Sequence, residues 1–237
     1  MTHANTKCDM ERVGAVIVAA GRSERMGGAD KIFAELCGEP LLAHTVAAFQ
    51  RSSVIDSIVV VLAQDRVEDG RDLARKYNWS KVTAVCAGGV RRQDSVKAGL
   101  NQLENVDWVM IHDGARPCLT QDIIERGLQA AKENGAAIPA TPVADTIKVV
   151  SADRYVVDTP QRDGLYSAQT PQVFRFDIIS AAHRIADEEA TDDAVLAERA
   201  GCKVKIFQGS STNIKVTTKE DLVIAEAIIS SRIKKKR

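Results

Sequence analysis

Between Ala19 and Lys31 the chain reads AAGRSERMGGADK, three glycines and three cations directly after the apolar run Val13 to Val18. Glycine lets a backbone approach a ligand without a Cβ in the way, and Arg22, Arg25 and Lys31 supply positive charge beside exposed amides. A polyanion such as a triphosphate is the guest this combination can wrap. Two familiar phosphate loops do not fit. A dinucleotide fingerprint needs G-x-G-x-x-G, a spacing that Gly21, Gly27 and Gly28 lack. A P-loop needs Lys and then Ser or Thr after its second glycine, whereas Gly27 is followed by Gly28 and Ala29.

Three further stretches carry usable chemistry. AGGVRRQDSV, Ala87 to Val96, places Gly88, Gly89 and Ser95 where a base or ribose could lie against backbone at a helix start. IHDGARPC, Ile111 to Cys118, holds Asp113 and Arg116, and NIKVTTKED, Asn213 to Asp221, holds Lys215. Singly, each has an ordinary explanation: a turn, a cap, a surface lysine, and for His112 a satisfied core histidine. Their force lies in their positions at the ends of successive strands, which gather at one edge of a sheet.

The positioning elements are legible as short apolar runs: Val13 to Val18, Ile58 to Leu62, Val82 to Val85, Trp108 to Ile111, Ala136 to Ala140 and Val204 to Phe207. Four to six residues rich in β-branched types are expected of strands buried on both faces. Amphipathic segments of helical length alternate with them, at Leu41 to Gln50, Arg66 to Tyr77, Gln93 to Leu103 and Gln121 to Glu133. The alternation predicts an α/β fold, a doubly wound and mainly parallel sheet with helices on both faces, binding ligands at the strands' carboxyl ends. Thr120 is expected to cap a helix that closes at Asn134 and Gly135, and Thr217 with Glu220 reads as a capping box for the last helix. Asp145 to Thr159, DTIKVVSADRYVVDT, alternates apolar and polar on either side of Ser151 to Asp153 and predicts a β-hairpin arm. Two strands alone are marginal in water, so the arm should find a packing partner.

Bulk properties narrow the field. The 237 residues, 45% of them hydrophobic, suit one domain over residues 1–237. Thirty-two basic residues balance thirty-two acidic ones, so the chain lacks the global field that nonspecific nucleic-acid binding needs, and no nucleic-acid partner is expected. The five cysteines (Cys8, Cys37, Cys86, Cys118 and Cys202) include no C-x-x-C pair and suit a reducing compartment. The start lacks an apolar signal region and no run approaches the roughly 20 apolar residues of a membrane span, so a soluble cytoplasmic protein without a membrane partner is expected. The KKKR tail reads as a solvated helix end.

AAGRSERMGGADK, AGGVRRQDSVKAGL, IHDGARPC, PVADTIK, GLYSAQTPQVF and NIKVT, in this order, closely resemble the 2-C-methyl-D-erythritol 4-phosphate cytidylyltransferases of the non-mevalonate isoprenoid pathway. The likeness runs from about Val13 to the final helix. It implies a nucleotidyltransferase (Rossmann-like) fold, with an arm at about residues 142–168 that clasps a homodimer, and a Mg²⁺-dependent reaction. In that reaction the phosphate of methylerythritol phosphate attacks the α-phosphorus of CTP, releasing pyrophosphate. By the same resemblance Arg25 and Lys31 stabilise the transition state, Arg162 and Lys215 hold the substrate phosphate, and Ala19, Ala20, Gly21, Gly89 and Ser95 fall on the nucleotide pocket. Asp113 and Arg116 line the ribose and substrate, and Thr146 on the arm reaches a neighbouring subunit's site. Mg²⁺ is implied to ride mainly on the CTP phosphates, with Asp113 as a possible ligand. Two positions depart from the family pattern: Asp30 stands where proline is usual, and Val90 where an acidic residue often follows the double glycine. A sister cytidylyltransferase acting on another polyol phosphate, such as ribitol 5-phosphate, is the alternative, because the CTP half of the site would be alike. A nicotinamide-dependent oxidoreductase is disfavoured by the glycine spacing, and a nucleotide-binding subunit without turnover by the cation set.

Overall fold

The structure is a computed structural model that describes residues 11–21 and 31–234. Its core is an eight-stranded sheet in the order β10–β7–β11–β6–β1–β4–β5, with β12 also paired to β7. The parallel half contains β1 (Val13–Ala19), β4 (Ser57–Leu62), β5 (Val82–Ala87) and β6 (Trp108–Asp113). β1 lies between β4 and β6 and runs parallel to both, so their carboxyl ends emerge together.

Side chains alternate across a strand, and both faces here are apolar. Ala15, Ile17, Val60 and Met110 point into one layer with Leu42, Val46 and Phe49 of α1 (Leu41–Gln50), Leu73 of α2 (Val67–Lys76) and Ile123 of α4 (Gln121–Asn134). Val16, Val59, Val61 and Ile111 point into the other, with Val96 and Leu100 of α3 (Arg92–Leu100), Ile179 of α5 (Phe176–Ile185) and Leu196 of α6 (Asp193–Arg199). The sheet is thus covered on both faces, as the alternating pattern predicts.

The other half departs from the expected rhythm. β7 (Ala136–Pro142) and β12 (Lys205–Gln208) are parallel to each other, but β11 (Gln172–Arg175) inserts antiparallel between β6 and β7, and β10 (Tyr166–Ala168) extends β7 antiparallel. β10 and β11, and helices α5 and α6, were not among the expected elements, whereas β7 and β12 stand where strands were expected.

Local punctuation follows the sequence with one shift. α4 ends at Gly135, whose φ of 84° needs the left-handed region that glycine enters freely, and Gly135 N donates to Ala131 O. Thr120 holds the N-cap position of α4, but its side chain makes no capping hydrogen bond. The capping box of α7 (Lys219–Lys234) is Thr218 with Asp221, one residue beyond the expected pair: Asp221 N donates to Thr218 Oγ1 at 3.2 Å and Thr218 N to Asp221 Oδ2 at 2.9 Å. Aspartate's shorter side chain reaches back as well as glutamate's would, and it also takes the Thr217 N–H.

The remaining two-stranded pieces are β2 (Glu35–Leu36) with β3 (Glu39–Pro40), and the expected hairpin, β8 (Val149–Val150) with β9 (Val156–Asp158). The hairpin turn is closed by Ser151 N to Tyr155 O at 2.9 Å. Among the described residues no helix is long and apolar enough to cross a membrane.

Candidate active site

The carboxyl ends of β1, β4, β5 and β6 open onto a cavity of about 650 Å³. β1 contributes Ala19, Ala20 and Gly21, and the turn after β4 contributes Ala63 to Asp65. The loop between β5 and α3 brings Gly88 to Arg92 and Ser95, β6 brings Asp113, and the segment before α7 brings Lys215. Lys31 completes the wall. Residues far apart in sequence, Ala19 to Gly21 with Lys31, Gly88 to Ser95, Asp113 and Lys215, therefore meet at one cavity. Arg25 and Asp30 lie outside the described residues.

Close approach has a concrete basis on the β5 side. A Cβ on Gly88 would stand 2.5 Å from both Ala20 Cβ and Ser95 Oγ, so only glycine lets this loop lie against the end of β1. Gly21 has open space where its Cβ would be, and that space belongs to the cavity. Ser95 is buried, and its hydroxyl turns to its own loop, accepting from Gly89 N at 3.1 Å. It shapes the loop that lines the cavity.

Asp113 is the electrostatic centre. Its Oδ2 lies 2.9 Å from Lys215 Nζ and 3.6 Å from Arg116 Nε, and its Oδ1 accepts from Arg92 Nε at 3.3 Å. Burial alone would push this carboxyl up, but Arg92, Lys215 and Arg116 overturn that and hold it well below the usual carboxylate range. Asp113 is therefore ionised, and although Arg92 also pairs with Asp193, three cations against these two carboxylates leave one positive charge over for an anionic guest.

Arg116 stands behind Asp113 as a brace, outside the cavity lining. Its Nη1 donates to Asn213 O at 2.8 Å, tying the β6 turn to the segment that carries Lys215. Val216 N to Ala115 O at 2.8 Å adds a second tie. Buried Asn213 donates to Thr170 O at 2.8 Å, so this segment is fixed from both sides.

His112 is the satisfied core histidine that its setting in an apolar run suggests. Asp113 N donates to Thr170 Oγ1 at 3.1 Å, which leaves that hydroxyl to donate to His112 Nδ1 at 2.9 Å. Nε2 then carries the proton and donates to Arg116 O at 3.3 Å, since a carbonyl can only accept. Burial pushes the imidazole down to about 4, so the ring is neutral at ordinary pH.

Arg162 and Thr146 do not reach the cavity of their own chain. Both are exposed on the arm, where Arg162 donates to Ala144 O. Conversely, Arg92 was not singled out by sequence. It lines the cavity, pairs with Asp113, and sends Nη1 to Asp193 Oδ2 at 2.7 Å. Its neighbour Arg91 also borders the cavity but pairs with Asp94 on its own helix, and nothing in the RR dipeptide distinguishes the two.

A sequence model of the 2-C-methyl-D-erythritol 4-phosphate cytidylyltransferases matches residues 13–231. The protein of that name from Dehalococcoides mccartyi is 52% identical over 219 residues, covering 92% of this chain and 96% of its own. The one from Alkaliphilus oremlandii is 43% identical over 230 residues, 94% and 98% of the two chains. Among solved structures, the 4-diphosphocytidyl-2C-methyl-D-erythritol synthase of Anaerococcus prevotii has a TM-score of 0.81 at 32% identity, covering 93% of this chain and 96% of that one. The cytidylyltransferase of Thermus thermophilus has a TM-score of 0.76 at 31% identity, covering 91% and 98%. The agreement spans the sheet, the loops that build the cavity and the segment bearing Lys215, and on it the chain belongs to the 2-C-methyl-D-erythritol 4-phosphate cytidylyltransferase family.

Proposed function

We propose that the cavity joins CTP to 2-C-methyl-D-erythritol 4-phosphate, giving 4-diphosphocytidyl-2-C-methyl-D-erythritol and pyrophosphate, a step in isoprenoid precursor synthesis. An oxygen of the acceptor phosphate forms a bond to the α-phosphorus of CTP. The bond from that phosphorus to the α,β-bridging oxygen breaks, and its electron pair leaves on pyrophosphate. The observation that carries this reading is the convergence of Lys31, Arg92 and Lys215 on one cavity floored by Ala19, Ala20 and the Gly88 loop.

Bringing the two substrates together places roughly six negative charges within a few ångströms, and their repulsion is the principal barrier to approach. A phosphate is already a competent nucleophile at neutral pH, so the protein's task is alignment and charge stabilisation. Lys31 presents a compact charge to the reacting α-phosphate, and Arg25 is proposed to act beside it. Lys215 takes the acceptor phosphate, while Ala19, Ala20, Gly21, Gly89 and the loop shaped by Ser95 receive the nucleoside through backbone groups. Buried, neutral His112 holds the Asp113 turn and takes no part in proton transfer.

The oxygen donors at the cavity, Asp113 and Asp65, suit a hard divalent cation, and among the described residues no three His, Cys, Asp or Glu side chains gather as a cage. Mg²⁺ would ride mainly on the nucleotide phosphates, with ionised Asp113 as a ligand only where an oxygen is released from its pairing with Lys215 or Arg92, and would supply neutralisation of charge at the triphosphate.

The arm supports a homodimer. Tyr155 and Val157 are 76% and 63% exposed on a two-stranded piece that has little core of its own, and exposed Thr146 and Arg162 on the same arm are proposed to serve a second subunit's cavity. Sedimentation should give twice the 25.7 kDa chain mass. The deciding experiment is a pyrophosphate-release assay with CTP and Mg²⁺ across methylerythritol phosphate, ribitol 5-phosphate and sugar phosphates. Turnover is expected with methylerythritol phosphate; preference for ribitol 5-phosphate would overturn the acceptor assignment.

A further inference from the structure

Arg92 is held more tightly from behind than from the cavity side. Its Nη1 lies 2.7 Å from Asp193 Oδ2, whereas its Nε lies 3.3 Å from Asp113 Oδ1. Asp193 is 1% exposed, does not line the cavity, and belongs to the first turn of α6. It is itself fixed: His183 Nε2 lies 3.1 Å from its Oδ1, and Gln172 Oε1 accepts from Asp193 N at 3.1 Å and from Ala194 N at 3.0 Å. Gln172 sits on β11 beside the end of β6, so the anchor is referenced to the same sheet as Asp113.

The guanidinium is thus a bridge between two carboxylates through two different nitrogens, Nε and Nη1, a planar fork that a single ammonium does not reproduce. The division matters because Asp113 is contested. Its Oδ2 serves Lys215, and its Oδ1 serves Arg92. If Asp193 lost its charge, Arg92 would carry an uncompensated buried cation and turn wholly to Asp113, the nearest remaining anion. Lys215, with its side chain 42% exposed, is the cation most easily displaced from that carboxylate.

We infer that Asp193 is a positioning residue for the transfer reaction: by holding Arg92 away from full pairing with Asp113, it keeps Asp113 available to set the Lys215 ammonium at the acceptor end of the cavity. This rests on the role proposed above for Lys215. A carboxylate outside the cavity would then govern acceptor binding more than nucleotide binding.

The test is a set of steady-state constants from pyrophosphate release, with each variant assayed below the melting transition seen by circular dichroism. Asp193→Asn is expected to raise KM for methylerythritol phosphate about tenfold or more while KM for CTP stays within about twofold. In an Arg92→Gln background the same substitution should add less than about twofold, because the bridge it acts through is already gone. Arg92→Lys, which keeps the charge but loses the two-nitrogen fork that fixes it between the carboxylates, should reproduce the acceptor effect and serves if Asp193→Asn does not fold. Equal losses for both substrates, an undiminished effect in the Arg92→Gln background, or normal constants in Arg92→Lys would overturn the inference. Lys215→Ala separates the two levels. An unchanged acceptor KM there overturns the role of Lys215 and the inference with it, whereas a raised KM there beside normal constants in Asp193→Asn overturns the inference alone.

Discussion

Lys215 Nζ stands 2.9 Å from Asp113 Oδ2, joining the segment before the last helix to the end of the central strand β6. The two ends of this pair differ in exposure: the Asp113 side chain is 11% exposed, the Lys215 side chain 42%. The carboxylate is fixed in the protein, while the ammonium faces the cavity and can be shared with an anion. An ion pair built this way keeps a cation poised without neutralising the site, because Arg92 and Arg116 also face the same carboxylate.

Asp113→Asn should therefore destabilise the protein as well as impair it. Removing the carboxylate leaves Arg92 and Arg116, both largely buried, without this shared partner, and breaking such a group costs about 3 kcal/mol or more. Urea denaturation is expected to show a lower midpoint at unchanged slope. A midpoint equal to that of the parent protein would show that Asp113 is not the electrostatic keystone of this cluster.

Lys31→Ala is expected to leave the fold intact and to lower turnover by about a hundredfold or more, the scale of deleting one preorganised donor at the reacting centre. Lys31 lines the cavity beside Ile32, immediately after the basic loop. Near-normal kcat in single-turnover measurements would remove it from the catalytic set.

Gly21 and Gly88 allow ligand approach to be separated from internal packing. A Cβ at Gly21 meets nothing within 4 Å, so Gly21→Ala should not alter the urea midpoint, yet it should weaken CTP binding about tenfold by filling space that the nucleotide uses. Gly88→Ala drives a Cβ to 2.5 Å from Ala20 and Ser95, and should cost both stability and CTP affinity. Calorimetric titration with CTP beside denaturation curves distinguishes them. Full CTP affinity in Gly21→Ala would move the nucleotide elsewhere in the cavity.

How much of this was legible in sequence depends on whether a residue's environment is local. β1, β4 and β6 could be read because strands buried on both faces are unbroken apolar runs, and β5, a half-buried edge strand, because its short β-branched run follows a helical segment; their ends then placed Ala19, Gly89 and Asp113 at one edge. β11 could not, since its four residues begin with Gln172, a polar side chain that is 1% exposed only because it caps the backbone of Asp193 and Ala194. Arg92 and Asp193 are 101 residues apart, and each has a chemically identical neighbour, Arg91 and Asp192, that pairs with a different group. Which member of a like pair turns inward is decided by helix phase and by the partner across the fold, neither of which a short motif records. The capping box shifted by one residue for a simpler reason: Thr217 and Thr218 are equivalent in type, and Asp221 competes with Glu220.

Acid sensitivity should expose the buried turn at His112. Burial holds its folded-state value at about 4, below the ordinary 6.5. Above pH 6.5 neither the folded nor the unfolded ring binds a proton, and the stabilisation is fully present. As pH falls from 6.5 toward 4 the unfolded chain takes up a proton that the folded chain refuses, so stability declines by up to about 3 kcal/mol. Asp113 acts in the same sense, because its carboxyl is held low in the folded state, but its contribution begins to fall away only near its ordinary value of 3.8 and continues below it. The two windows are therefore separable. Urea midpoints measured at pH 7, 5 and 4 should fall progressively, and His112→Gln, which can still accept from Thr170 and donate to the Arg116 carbonyl, should be less stable at pH 7 but lose less between pH 7 and 4. An identical pH slope in the variant would mean that another group supplies the acid transition and that the ring is not the proton-refusing centre of the β6 turn.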